Sequence, residues 1–174
     1  MVEPVSLQTV LTYLTLISVP VGVFYHIMTL NNTRKTQQLQ LETRQAQLFM
    51  NLYETFRSPT FRKQLDEVLF IIEFEDWDDM QRNFDPVDNP DTRVSWFSVA
   101  SFFEGVGVLL KRNLIDISMV DDLLATAIRM TWEKIGPIET ESRKRLNLPR
   151  LWDDFEFLYK ELMKYHEEHP ELKT

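Results

Sequence analysis

Apolar residues run almost without a break from Val10 to Leu30, and no charged residue lies between Glu3 and Arg34. A helix needs about 20 residues, at 1.5 Å of rise each, to cross ~30 Å of hydrocarbon. The run of about 21 residues therefore predicts one membrane-crossing helix. Thr12, Thr15, Ser18, Pro20, His26 and Thr29 dilute it. Helical hydroxyls can return to backbone carbonyls, whereas Pro20 removes one donor and predicts a kink. A cleavable leader would carry a basic start and a small-residue cleavage site. Here the start carries only Glu3, and the first alanine is Ala46. His26 is the one titratable group in the run and sits near its end, where an imidazole reaches water.

Beyond Leu30 the pattern turns polar. Residues 31–47 hold neither Pro nor Gly and are polar nearly all round, which predicts a helix continuing out of the bilayer as a stalk of roughly 25 Å. Leu39, Ala46 and Tyr53 recur every seven residues, but the pattern is too short to specify a coiled coil. An apolar stripe then strengthens at Leu48, Phe49, Leu52, Tyr53 and Phe56, where the chain enters a core. The organisation expected is a tail and span over 1–30, a helical stalk over 31–47, a helical domain over 48–169 and a flexible tail over 170–174.

The domain reads as helix throughout, because no stretch alternates at period two for long enough to demand a strand. Ser58 and Pro59 suit an N-cap and a first helical position. The following helix is expected to reach about Phe74, burying Phe61, Leu65, Val68, Leu69 and Ile72. Residues 93–112 form the most apolar helix outside the span, capped by Asp91 or Thr92. Glu104 in its middle argues against a second crossing. Gly105 and Gly107 would let another helix come close. Ser118 is expected to cap a helix that Gly136-Pro137 breaks or kinks, with a short helical piece over 138–146. Asn147 to Pro149 form a turn, and a last amphipathic helix from about Leu151 to His166 buries Trp152, Phe155, Leu158 and Leu162. The expected fold is all-α: a transmembrane helix continuing into a stalk, then a bundle of about four to five helices.

Charge and composition narrow the chemistry. The formal charge of −8 argues against nucleic acid, whose phosphates need a basic surface. The absence of Cys removes disulfides, thiolate metal sites and cysteine nucleophiles. Four Gly are few for a fold built on phosphate loops. Basic residues flank only the C-terminal side of the span, at Arg34, Lys35 and Arg44, which predicts the N-terminus outside and the domain in the cytoplasm.

Candidate chemistry is sparse. The stretch from Glu73 to Asp91 carries Glu73, Glu75, Asp76, Asp78, Asp79, Asp85 and Asp88, but without a Gly it is no EF-hand loop. It reads as a solvated acidic loop with Trp77, Met80 and Phe84 turned inward, or as a surface for a basic partner. Glu104 and Arg129 both lie in apolar helical stretches where an unpaired charge is expensive. Glu104 is expected to form a buried ion pair with Arg129, or with Arg143, or else to line a ligand pocket with Arg129. Ser95, Ser98 and Ser101 have no nucleophile elbow around them. His166 and His169 fall in a tail expected to fray. No cofactor, metal or catalytic set is expected.

The order of segments is itself informative. An FRSPTFR turn, a central FFEGVGVLLKRNLID, then MTWEKIGPIETESRKR and a closing PRLWDDFEFL resemble a family of small bacterial and archaeal membrane proteins. That family is described only as a domain of unknown function. The resemblance covers the chain from about Val10 to Leu162 and implies an anchored helical architecture without an activity. The expected function is a membrane-anchored interaction module, held to lipid by the span. It would serve as an accessory subunit of a membrane complex or as a homo-oligomer. The alternative is a tethered enzyme or small-ligand sensor with its pocket near Glu104 and Arg129.

Overall fold

The computed structural model describes residues 6–83 and 89–172. Among them every regular element is helical. The elements are α1 (Leu7–Arg57), α2 (Pro59–Asp66), a π-helical turn (Glu67–Ile71), α3 (Trp77–Asn83), α4 (Pro90–Lys111), α5 (Ile117–Arg145), α6 (Asp153–Glu168) and a 3-10 turn (Pro170–Leu172). The chain divides into two compact units, Met1–Arg44 and Gln45–Thr174.

The first unit is the N-terminal part of α1. Its hydroxyls behave as helical Ser and Thr do in an apolar stretch: Thr12, Thr15 and Thr29 donate to the carbonyls of Gln8, Leu11 and Tyr25. Pro20 lies inside the helix. Leu11, Leu14, Leu16, Val19 and Val21 are exposed, as are Phe24 and Tyr25 at 69% and 68%. The helix is long and apolar enough to cross a membrane.

The second unit owes its shape to α4, which packs chiefly on α6 and also on α2. By length and composition α4 would also pass for a span. It is instead a core helix, burying Trp96, Val99, Ala100, Phe103 and Val106. The core is strongly aromatic: Phe103 stacks on Phe155 at 4.9 Å, Trp132 meets Phe155 edge-on at 4.9 Å, and Phe61 packs on Phe102 at 4.5 Å. Gly107 is what permits the closest helix approach. A Cβ there would lie 2.0 Å from the Asp154 carbonyl oxygen, so α6 begins directly on the α4 backbone. Gly105 faces open space, so of the two glycines expected to admit a neighbour only Gly107 does so.

Several boundaries differ from those expected. Ser58 caps α2 through Phe61 N–H, with Pro59 first in the helix. The helix does not run on to Phe74, however, but widens into the π turn and ends at Ile71. Lys134 explains that end, because its ammonium donates to the carbonyls of Leu69 and Ile72, at 2.9 and 2.6 Å. α5 is not interrupted at Gly136-Pro137 and continues through to Arg145. Asp116, not Ser118, caps it, accepting from Ser118 N–H at 2.8 Å. Both α4 and α5 end on an asparagine in the left-handed region, Asn113 and Asn147. Bonds from Leu114 N–H to Leu109 and from Leu148 N–H to Arg143 complete the two Schellman stops. The C-terminal tail, expected to fray, makes contacts. His166 Nε2 lies 2.5 Å from Asp121 Oδ1, and Pro170–Leu172 form a turn. The rest of that tail, 173–174, lies outside the described residues.

Candidate functional site

Glu104 and Arg129 are not brought together. Glu104 Oε2 accepts from Phe155 N–H at 2.7 Å, at the first turn of α6. The residue before α6, Trp152, makes no side-chain cap bond, so the carboxylate of α4 supplies the acceptor that this helix start lacks. Burial raises the Glu104 pKa, the Phe155 and Asp154 N–H groups oppose that, and the charges of Asp154 and Asp153 add to it. Arg129 is exposed and lines a groove with Asp121, Thr126 and His166. The reason the expected pair does not form is geometric. Arg129 follows the buried Ile128 on α5 and points off the core, whereas Glu104 faces α6.

The acidic stretch uses much of its charge internally. Asp76 accepts from Asp79 N–H, Asp79 accepts from Glu75 N–H, and Asp78 pairs with Arg145 at 2.7 Å. Glu73 and Glu75 are exposed, and Glu73 lies close enough to Lys134 to act on its charge. Trp77 and Met80 do turn inward: Met80 is buried and Trp77 Nε1 donates to Ser142 Oγ at 2.8 Å. Phe84, Asp85 and Asp88 lie outside the described residues. Two of the three serines of α4 bond to the α2 and π-turn segment, Ser95 donating to Glu67 and Ser98 to Gln64, each at 2.7 Å, while Ser101 is exposed.

The most unusual chemical feature is one that sequence reasoning missed. Glu139, on the part of α5 beyond Pro137, is only 3% exposed. Trp96 Nε1 donates to its Oε1 at 2.7 Å. It borders a cavity of about 210 Å³ lined also by Met80, Phe97, Ser142, Leu151 and Trp152, with Arg93 at the margin. Burial pushes its pKa from the ordinary 4.5 to about 7. The Trp96 N–H, the Arg143 charge and the Trp152 side chain pull the other way without overcoming it. The site thus holds a carboxyl group that titrates near neutrality inside an aromatic wall.

The wall is held from behind. Arg143, one turn beyond Glu139, donates to the carbonyls of Leu151 and Trp152 at 2.6 and 2.9 Å and pairs with Glu156. This fork ties the turn after α5 to the start of α6. It also secures Trp152 in the left-handed region at φ 54°, a conformation costly for a bulky residue. Phe97 meets Trp152 at 5.8 Å, and the Arg93 guanidinium lies over the Phe97 ring at 5.2 Å. Two signals in the sequence point at this site in retrospect. One is Glu139 four residues before Arg143 on one helix face. The other is that α5 continues past Pro137, which places both groups on a single helix.

Among the described residues no group of three or more His, Asp or Glu side chains is placed to hold a metal ion. The arrangement joins a carboxyl poised between its forms to aromatic contacts, which suits binding and proton uptake.

No curated protein and no solved structure matches the chain. Residues 9–162 match a family described as a domain of unknown function, DUF4760, which takes in the apolar N-terminal helix, the α4–α6 packing and the Glu139 cavity alike. That match spans most of the chain, so the protein belongs to the DUF4760 family.

Proposed function

We propose that the protein is a single-pass, membrane-anchored helical module that works by binding a protein partner or a second copy of itself. The observation that carries this reading is the surface of α1 before Leu30. It exposes apolar side chains such as Leu11, Leu16, Phe24 and Tyr25, and water is a poor solvent for them. Lipid is its natural environment. Arg34, Lys35 and Arg44 favour the side carrying residues 45–174 as the cytoplasmic one.

A binding role is supported by the surface of the second unit. Phe70 and Ile71 on the π turn are 64% and 72% exposed. They adjoin a groove between α2 and α5 that holds Leu69, Leu123 and Met130, with Asp66, Asp121 and Asp122 among its lining residues. An apolar floor with carboxylates around it suits an amphipathic basic segment, as the exposed Glu73 and Glu75 also do. A second reading, a tethered small-ligand sensor, is favoured by the Glu139 cavity and places the ligand there, not beside Glu104 and Arg129.

The absence of native Cys makes the test clean. Single Ser6→Cys and Thr36→Cys variants in intact cells or spheroplasts should be labelled by a membrane-impermeant maleimide at Ser6→Cys only. The protein should stay with membranes through alkaline carbonate. Release by carbonate, or labelling of Thr36→Cys alone, contradicts the anchor or its orientation respectively. Cross-linking in intact membranes followed by mass spectrometry should return a recurrent partner peptide or a self-link. A lone monomer in every gentle detergent counts against the binding role.

A further inference from the structure

We propose that the cavity beside Glu139 is a binding site for a small organic cation of the ammonium class, with Glu139 as its counter-charge and Trp96, Phe97 and Trp152 as its aromatic wall. This deepens the ligand-sensing reading and is independent of the membrane anchor, so the two can fail separately.

Four observations converge on that ligand. The first is charge. Among the described residues that line the cavity the ionisable groups are Glu139, which is buried, and Arg93, which is exposed. An ionised carboxylate can only accept hydrogen bonds, so it attracts a cation and repels an anion. The second is the aromatic content. Trp96 and Trp152 border the cavity, as does the half-exposed Phe97 under the Arg93 guanidinium, and aromatic faces attract ammonium groups through the ring quadrupole. The third is size. A volume of about 210 Å³ lies below the ~300 Å³ lower end typical of larger ligand pockets, so a compact headgroup fits and an extended ligand does not. The fourth is stored strain. A tryptophan held at φ 54° by the Arg143 fork is a costly way to connect two helices, and it places an aromatic side chain beside the buried carboxyl.

A purely structural role for Glu139 would be to satisfy the Trp96 indole. That role requires an acceptor and no charge, and a glutamine would serve it. The charged form is what an ammonium ligand would need, and proton release accompanies binding when the group starts protonated. The charged groups facing Glu139 are Arg143 on its own helix and Arg93 across the cavity on α4. α3 contributes only Met80 and Gln81 to the lining, and the turn before α6 contributes Leu146, Leu151 and Trp152. Arg143 is engaged by Glu156, and Glu139 is the one carboxyl among the described lining residues. Glu139 therefore dominates the pH response.

The test is calorimetric titration of the full chain in a maltoside detergent, which carries no choline headgroup, with tetramethylammonium and n-propylammonium chloride. The neutral alcohol 3,3-dimethylbutan-1-ol and sodium chloride serve as controls. Saturable one-to-one binding of at least one ammonium is expected. Its affinity should rise about ten-fold between pH 6 and pH 8 as a carboxyl titrating near 7 ionises. Glu139→Gln should weaken binding at least ten-fold and abolish the pH dependence, with its helical signal and melting cooperativity intact. Absence of saturable binding to the wild type at pH 8 would overturn the proposal. So would equal binding of the neutral alcohol, or wild-type affinity in Glu139→Gln. Should Glu139→Gln not fold, Phe97→Leu tests the aromatic wall at an exposed position. A several-fold weakening supports the site, whereas wild-type affinity together with a flat pH profile refutes it.

Discussion

Replacing Gly107 by alanine adds a single methyl group at the tightest point of the domain. The new Cβ would stand 2.0 Å from the Asp154 carbonyl oxygen and 2.6 Å from its carbon, where ordinary contact begins near 3.4 Å. The obstacle is backbone, so no rotamer change relieves it, and the start of α6 must retreat from α4 by more than an ångström. That retreat opens the Glu104 bond to Phe155 N–H at 2.7 Å and the Lys111–Asp154 pair at 2.6 Å. It also loosens Phe103 from Phe155. Overpacking costs about 1–3 kcal/mol, and a lost bond to a charged acceptor about 1.5–3 kcal/mol. Alanine's better helix propensity returns about 1 kcal/mol. The exposed pair at Lys111 adds little. The net expectation is a loss of about 3 kcal/mol, which for a domain of this size lowers Tm by about 10 °C. Gly105→Ala is the matched control. Its Cβ meets nothing within 4 Å, so the same substitution two residues away should raise stability by up to about 1 kcal/mol through propensity alone. Thermal melts followed by circular dichroism in one detergent, for wild type and both variants, decide the matter. Equal Tm values for Gly107→Ala and Gly105→Ala would refute the close α4–α6 contact and with it the packing described above.

Three further expectations use the same melts. Glu139 titrates at about 7 in the fold against an ordinary 4.5. The folded state thus binds the proton more tightly, and stability falls as pH rises from about 4.5 to 7, by up to about 3 kcal/mol from this group. Glu139→Gln should remove that slope and be the more stable protein at pH 8; an unchanged slope shows that other groups set it. Thr131 is fully buried and its hydroxyl has no hydrogen-bond partner among the described residues, so Thr131→Val, nearly the same shape, should stabilise by about 1 kcal/mol. A drop in Tm would mean the hydroxyl has found a partner. Arg143→Ala strips the Leu151 and Trp152 carbonyls and Glu156 of their shared donor and should cost about 3 kcal/mol. Arg143→Lys should recover only a minor part, because a single ammonium cannot reproduce the planar fork; full recovery would argue against the clamp.

Much of the architecture was readable from local patterns. The Val10 to Leu30 stretch announces itself by length and lack of charge. Ser58-Pro59 marks a helix start, Asn147 marks a turn, and the buried faces of α2 and α6 follow the 3.6-residue period. These are short-range properties, set by the side chain and its immediate neighbours. The errors have one source. Pro137 reads as a helix breaker locally, yet α5 runs through it because Trp132, Ile135 and Ile138 on either side are buried in one core.

The candidate site shows the same division more sharply. Glu104 stood out because its own helix is apolar, but its partner is a backbone N–H on α6, which no pairing of charges along the sequence can name. Glu139 did not stand out, since Glu133, Lys134, Glu141 and Arg143 make its surroundings look like a solvated face. By itself the sequence determined the helical class, the apolar N-terminal run, the acidity and most of the core, because each depends on composition or on periodicity within one helix. Only the tertiary structure decided which carboxylate is desolvated. Burial is a property of what the other helices cover, and here α3, α4 and the turn before α6 close over one face of α5, leaving Glu139 in the dark and Arg129 in water.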